Sequence, residues 1–207
     1  MTKIEWTEKT WNPIVGCSIV SPGCTNCYAM KMAARLEAMA GDGLDDNGYA
    51  VRGTGPLDHY RGTTKRSKAG AVWTGKVALA PDHIITAPLR RRKPTMYFVN
   101  SMGDLFHEDV PDEWIDRVFA VMTMCPQHTF QVLTKRSARM LDYVSRGADE
   151  HGDYFERLSD AAVAISNSPC AADVERELSM RGNVAITFHS RTLLFSRYRT
   201  AAAVASA

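Results

Sequence analysis

Between Met96 and Arg146 the chain alternates two kinds of apolar pattern, and this alternation restricts the fold more than any other feature. Met96-Tyr-Phe-Val-Asn100 is an unbroken apolar run entered from Lys93-Pro94, the pattern of a buried strand. Pro111, Asp112 and Glu113 then open a stretch in which Ile115, Val118, Phe119 and Met122 share one helical face. Phe130-Gln-Val-Leu133 reads as the next strand. From about Ser137 to Arg146, Met140, Leu141 and Val144 form a second helical stripe. Strand, helix, strand, helix in that rhythm predicts parallel β/α units and an α/β fold. In such folds the site is built at the carboxyl ends of the strands. Here those ends carry Asn100, Ser101, Asp104, Thr134, Lys135 and Arg136, all polar directly after apolar runs.

The second constraint lies near the amino end. Cys17, Cys24 and Cys27 fall within eleven residues, and the turn signals Asn12-Pro13 and Ser21-Pro22-Gly23 make the segment between them a loop. Thiolates so close together on one loop are able to converge on a metal, and the short Cys24–Cys27 step is used by zinc and iron–sulfur sites. After Cys27 the set Ala29, Ala33, Leu36 and Ala40 repeats at helical spacing, with Gly41 as its stop, and Met30, Met32 and Met39 are expected in the core. The positive end of that helix faces the sulfurs and favours their thiolate form.

The rest of the chain is read more coarsely. Ile4–Trp6 is expected as a short strand, residues 41–75 as a long loop or lid insertion, and Lys76–Leu79 as a strand. Pro81–Leu89 and Tyr154–Ile165 are expected as helices, and Val184–Phe188 as one more strand. Cys170 is read as structural, and His107 and Glu108 as an exposed polar turn.

A chain of 207 residues, 45% apolar and 23% charged, fits one globular domain. No stretch is long and apolar enough to cross a bilayer and the first residues are no signal peptide, so a reducing cytoplasm is the expected compartment. Together with the odd cysteine count of five, this favours metal binding over disulfides. The net charge of +2 hides a strong local bias. From Arg61 to Lys93, nine basic residues face Asp82 alone, a candidate surface for nucleic acid.

Three thiolates do not complete a tetrahedral zinc site, so zinc needs a fourth ligand, for which His59, His107, His128 and Cys125 are candidates. A 4Fe-4S cluster held by three cysteines keeps one iron open, able to chelate S-adenosylmethionine and pass it an electron. The spacing alone leaves cluster and zinc equally open, because the usual radical-SAM loop has three residues between its first two cysteines and this one has six.

The run Trp11-Asn-Pro-x-x-Gly-Cys17, Ser21-Pro-Gly-Cys24-Thr-Asn-Cys27-Tyr-Ala29 and Ala34-Arg35 resembles the signature of a phage and prophage family. That family is known by the gene-product numbers thirty-seven and sixty-eight, as a three-cysteine-motif family or domain of unknown function. Pro88-Leu89, Phe98-Val-Asn-Ser101, Asp104-Leu-Phe-His-Glu108 and His128-Thr-Phe-Gln-Val-Leu-Thr-Lys-Arg136 are similar to its later blocks. The resemblance implies a radical-SAM-like partial parallel (β/α) barrel with the cysteine loop after the first strand, and it favours cluster over zinc. The family's Val-Gly-Gly-Glu-Ser-Gly and closing Phe-Phe-Lys-Gln-Trp-Gly stretches are not found here. The resemblance therefore implies a barrel over residues 1–182, incomplete at its C-terminus, followed by a divergent, disordered tail over 183–207.

Three expectations result. In the first, Cys17, Cys24 and Cys27 ligate an iron–sulfur cluster in a radical S-adenosylmethionine enzyme of unknown substrate, with nucleic acid as one candidate. Asn100, Ser101 and Asp104 then touch the methionine or ribose part of the cofactor, and Lys135 and Arg136 receive a carboxylate or phosphate. In the second, the chain is a zinc-stabilised nucleic-acid-binding module using the 61–93 region. In the third, it is an inactive truncated remnant. No catalytic side chain is singled out, and a protein partner stays open.

Overall fold

The computed structural model describes residues 5–47, 49–51, 53–145 and 153–167, and the backbone of 185–189 and 192–196. Cys170, residues 183–184 and residues 197–207 of the expected tail lie outside the described residues. The strands are β1 (Lys9–Trp11), β2 (Ile14–Val15), β3 (Gly43–Leu44), β4 (Ala50–Val51), β5 (Thr64–Ser67), β6 (Gly70–Trp73), β7 (Ala78–Leu79), β8 (Met96–Val99), β9 (Thr129–Leu133), β10 (Ala185–His189) and β11 (Thr192–Ser196). The helices are α1 (Tyr28–Ala38), α2 (Asp82–Ile85), α3 (Asp112–Met124), α4 (Ser137–Ser145) and α5 (Asp153–Ser166).

The main sheet has the order β1-β8-β9-β11-β10. β1, β8 and β9 are parallel, with Thr10, Phe98 and Gln131 in one register row. β11 and β10 then extend the sheet as an antiparallel hairpin. The α/β expectation holds in this coarser form, a mixed sheet with three parallel strands; the described residues form no closed barrel.

Trp11, Tyr97, Val99, Phe130 and Val132 bury one face of the sheet against α3, whose Ile115, Val118, Phe119 and Met122 are all inside. Tyr143 of α4 and Leu158 and Ile165 of α5 close the same core. A buried carboxylate, Asp116, accepts hydrogen bonds from Tyr143 Oη (2.5 Å) and Arg157 Nε (3.1 Å), tying α3 to α4 and α5.

Four local expectations need correction. The first strand begins at Lys9, beyond the expected Ile4–Trp6, because Thr7 Oγ1 and the Glu8 N–H bond the Met96 carbonyl and set the chain onto β8 only there. Residues 41–75 hold the paired strands β3–β4 and β5–β6. Long-range polar clamps shape this segment: Arg61 bonds Asp58, Asp42 and the Ala40 carbonyl, while Glu37 of α1 accepts the Gly62 N–H and the Thr64 hydroxyl. Met30 is buried, but Met32 and Met39 are 43% and 62% exposed, because only one narrow side of α1 meets β5 and β6. Leu141 is likewise exposed, and Tyr143 takes the core position on α4.

Candidate functional site

The site forms where the cysteine loop lies across the carboxyl ends of β1, β8 and β9. Two glycines permit the contact. Gly16 and Gly103 bridge in parallel fashion, and the Gly16 N–H donates to the Met102 carbonyl at 3.0 Å. Gly16 has φ +92°, and a Cβ there would lie 2.0 Å from the Lys76 carbonyl oxygen. Asn100, directly after β8, has φ 54°, the only positive value among described non-glycine residues. Its Oδ1 accepts the Ile14 N–H at 3.2 Å, which leaves its amide nitrogen as the remaining side-chain donor. That Nδ2 is buried and makes no hydrogen bond.

Asp104 and Arg136 hold the centre. The Asp104 carboxylate accepts from Phe106 N–H (3.0 Å), Thr134 Oγ1 (2.6 Å), Lys135 N–H (3.2 Å) and Arg136 Nη1 (3.0 Å). Arg136 also donates to Glu108 Oε2 (2.8 Å) and Ser18 Oγ (2.7 Å), and its Nη1 lies 3.7 Å from Cys17 Sγ. Burial lowers the Arg136 pKa, but Glu108 and Asp104 outweigh it and keep the guanidinium charged. The side chains of Arg136 and Asp104 are 5% and 7% exposed, so losing either partner leaves a buried charge, at a cost of roughly 3–5 kcal/mol.

The cysteines meet cations. Lys135 Nζ donates to Cys24 Sγ and to Ser21 Oγ, each at 3.2 Å. Burial pushes the Cys24 thiol up, but bonds from the Val20 backbone, Ser21 and Lys135 overcome it and bring the pKa down to about 7. Cys17 is pushed up by burial against the pull of Arg136, and its thiol donates to the Ser18 carbonyl. Cys27 occupies the N-cap position of α1 without a side-chain capping bond. All three are free thiols.

His107 is buried beside them, not in an exposed turn; Glu108 is exposed. The Asp109 N–H donates to His107 Nδ1 (3.1 Å), which places the proton on Nε2, 3.0 Å from Ser18 Oγ. Burial and the neighbouring Arg136 hold its pKa below the usual histidine value against the pull of Glu108 and Asp109.

The family model described as "Protein of unknown function (DUF5131)" matches residues 1–184. The chain belongs to this family. No curated protein and no solved structure matches it.

In this DUF5131 chain the residues singled out in the sequence at two distant places come together. Lys135 and Arg136 touch Cys24 and Cys17; Asp104 joins them through Arg136, Asn100 joins through the Ile14 N–H, and Ser101 joins through the side chains of Asn12 and Tyr28. The Ser101 hydroxyl bonds Asn12 Oδ1 (3.0 Å), and its carbonyl accepts the Tyr28 hydroxyl (3.2 Å). The donor chemistry suits a thiophilic metal: three free sulfurs on one loop, with an unpaired buried amide, Asn100 Nδ2, on a residue that bonds the Ile14 N–H ahead of them. Among the described residues, however, no three Cys, His, Asp or Glu side chains are gathered as a metal-holding group. Lys135 and Arg136 hold two of the sulfurs instead.

Sequence reasoning missed Asn12, Ser18 and Tyr28, which join the cysteine loop to β8 and Arg136. Only their place inside the cysteine signature marked them. Of the candidate fourth zinc ligands, His107 lies at the loop, His128 bonds the Pro88 carbonyl, and Cys125 is in the main core. An open groove of about 440 Å³ lined by Glu5, Trp6, Glu8, Thr95 and Thr129 lies at the opposite, amino ends of the same strands. The nine basic residues are divided. Arg61, Lys76, Arg90 and Arg91 bond other parts of the chain, Arg92 and Lys93 precede β8 at its amino end, and Lys65, Arg66 and Lys68 project on the β5–β6 hairpin. No helix among the described residues is long and apolar enough to cross a membrane.

Proposed function

We propose that this chain is a phage-derived iron–sulfur protein of radical S-adenosylmethionine type, working in a reducing cytoplasm, in which Cys17, Cys24 and Cys27 hold a 4Fe-4S cluster. One observation carries the reading: the three-thiol loop is docked on the carboxyl ends of parallel strands by Lys135 and Arg136, where an α/β fold keeps its chemistry. The motif blocks support the phage origin. Held by these three cysteines, such a cluster would keep one iron open to chelate S-adenosylmethionine and would supply one electron to it.

The chain's own residues divide the remaining work. Cys24, with a pKa of about 7, supplies a thiolate ligand without a strong base. Were Cys24 and Cys17 to ligate the cluster, they would leave Lys135 and Arg136, and the Lys135 ammonium would be free for a carboxylate or phosphate. Arg136 stays with Asp104 and Glu108 as a positioning residue for the loop. Asn100 Nδ2 is the buried donor available to the methionine or ribose part of the cofactor, because Asp104 and Ser101 already bond the protein.

Electron paramagnetic resonance of anaerobically reconstituted, dithionite-reduced protein tests the cofactor. The account expects a cluster signal whose g-values move on adding S-adenosylmethionine. A signal that the cofactor leaves unchanged contradicts it.

A second reading has one observation in its favour. His107 lies beside Cys17 through Ser18 and would serve as the fourth ligand of a structural zinc. About one zinc per chain in aerobically purified protein, lost in His107→Ala, would support that reading.

A further inference from the structure

We propose that the module of α1 and the β5–β6 hairpin is a docking surface for the phosphate backbone of a single-stranded nucleic acid, which it leads to the cysteine site. This names a substrate class for the proposed function and rests on that reading only for the chemistry performed.

The hairpin carries Lys65, Arg66 and Lys68, all exposed. Opposite-charge pairs commonly stabilise adjacent strands, but here the cross-strand partners of Lys65, Arg66 and Ser67 are Val72, Ala71 and Gly70. No acid faces these cations across the ladder. Lys31 and Arg35 add two more charges one helical turn apart on the exposed side of α1, the helix on which the hairpin packs. Glu37, the one acid within α1 and the hairpin, accepts from Gly62 and Thr64, and the nearby Asp42 and Asp58 pair with Arg61. The five cations thus form an uncompensated positive field suited to a polyanion.

Two contacts connect this surface to the site. At the hairpin root the Gly75 N–H donates to the Cys17 carbonyl at 3.2 Å. At the start of α1, Tyr28 follows Cys27 directly; its hydroxyl bonds the Ser101 carbonyl while 55% of the residue stays exposed. An exposed aromatic ring beside a cationic track is how proteins hold single strands, with phosphates on the cations and a base stacked on the ring. A duplex keeps its bases stacked internally and offers none to Tyr28.

The test is fluorescence anisotropy with a fluorescein-labelled single-stranded 20-mer, as DNA and as RNA, on the full chain. Five contacts at about 0.7 each give a log–log salt slope of about −3.5, an affinity loss of about 100-fold between 50 and 200 mM salt. Lys65→Glu/Arg66→Glu/Lys68→Glu is expected to weaken binding at least about 10-fold and flatten the slope. The single Arg66→Ala, at an exposed position where misfolding is no concern, should reduce the slope by about 0.7. Arg92→Glu/Lys93→Glu, at the far end of β8, should change neither. Absence of binding at 50 mM salt, equal loss in the Arg92/Lys93 variant, or binding to phosphatidylserine vesicles but not to either oligonucleotide would overturn the proposal. Iron content is measured on the same preparations. Binding without iron leaves the docking surface standing and removes the cluster; iron without binding does the reverse.

Discussion

Gly16 illustrates the close fit of the cysteine loop. Any side chain there meets the Lys76 carbonyl and requires a backbone conformation that other residues resist. Gly16→Ala should therefore lower stability by at least about 2 kcal/mol in urea unfolding; a change within about 0.5 kcal/mol would show that the loop is free to move away. Cys24 gives a pH-dependent prediction. Its folded pKa of about 7 lies below the usual thiol value of 9.0. The stabilisation from its thiolate is thus complete above about pH 9 and is lost as pH falls through about 7. In metal-free protein, thiolate absorbance at 240 nm should show a step near pH 7 that is missing in Cys24→Ser and moves upward in Lys135→Met. The identity of these residues was legible because cysteines in a turn-rich loop carry their chemistry in their spacing. That Lys135 bonds Cys24 was not, since no local pattern encodes a contact between residues more than a hundred positions apart.

At the scale of elements, legibility followed the width of the packed face. α3 lies between the sheet and two helices, so its apolar stripe is broad and its four expected core residues are all buried. α1 meets a short hairpin along one narrow side, which leaves Met32 and Met39 in solvent despite their helical spacing. On α4 the large aromatic won the core: Tyr143 packs against Phe106 and Phe119 and gives its hydroxyl to Asp116, while Leu141 points out. Tyr143→Phe keeps that packing and removes one hydrogen bond to a buried carboxylate. It should cost about 1–3 kcal/mol in thermal or urea unfolding. A neutral result would mean that Arg157 alone satisfies Asp116.

In the molecule as a whole, the cysteine loop and the strand ends depend on one buried ion pair. Asp104 gathers four donors from β9's exit and its own loop, and through Arg136 it reaches Ser18 and Cys17. Asp104→Ala should lower stability by roughly 3–5 kcal/mol and loosen the cysteine loop to proteolysis, because Arg136 then keeps a buried charge with only an exposed carboxylate beside it. A loss below about 1 kcal/mol would assign the docking to the glycine contacts alone. The parallel β8–α3–β9 unit was readable from its apolar rhythm. The sheet's antiparallel extension was not, because a strand pattern records burial and leaves open which neighbour it pairs with, or in which direction. Iron bound per chain after anaerobic reconstitution tests the central claim most directly. The account predicts about four irons in wild type and in Cys125→Ala, and a large loss in each of Cys17→Ala, Cys24→Ala and Cys27→Ala. A wild-type protein that binds no iron, or a Cys24→Ala variant that binds as much as wild type, would contradict it.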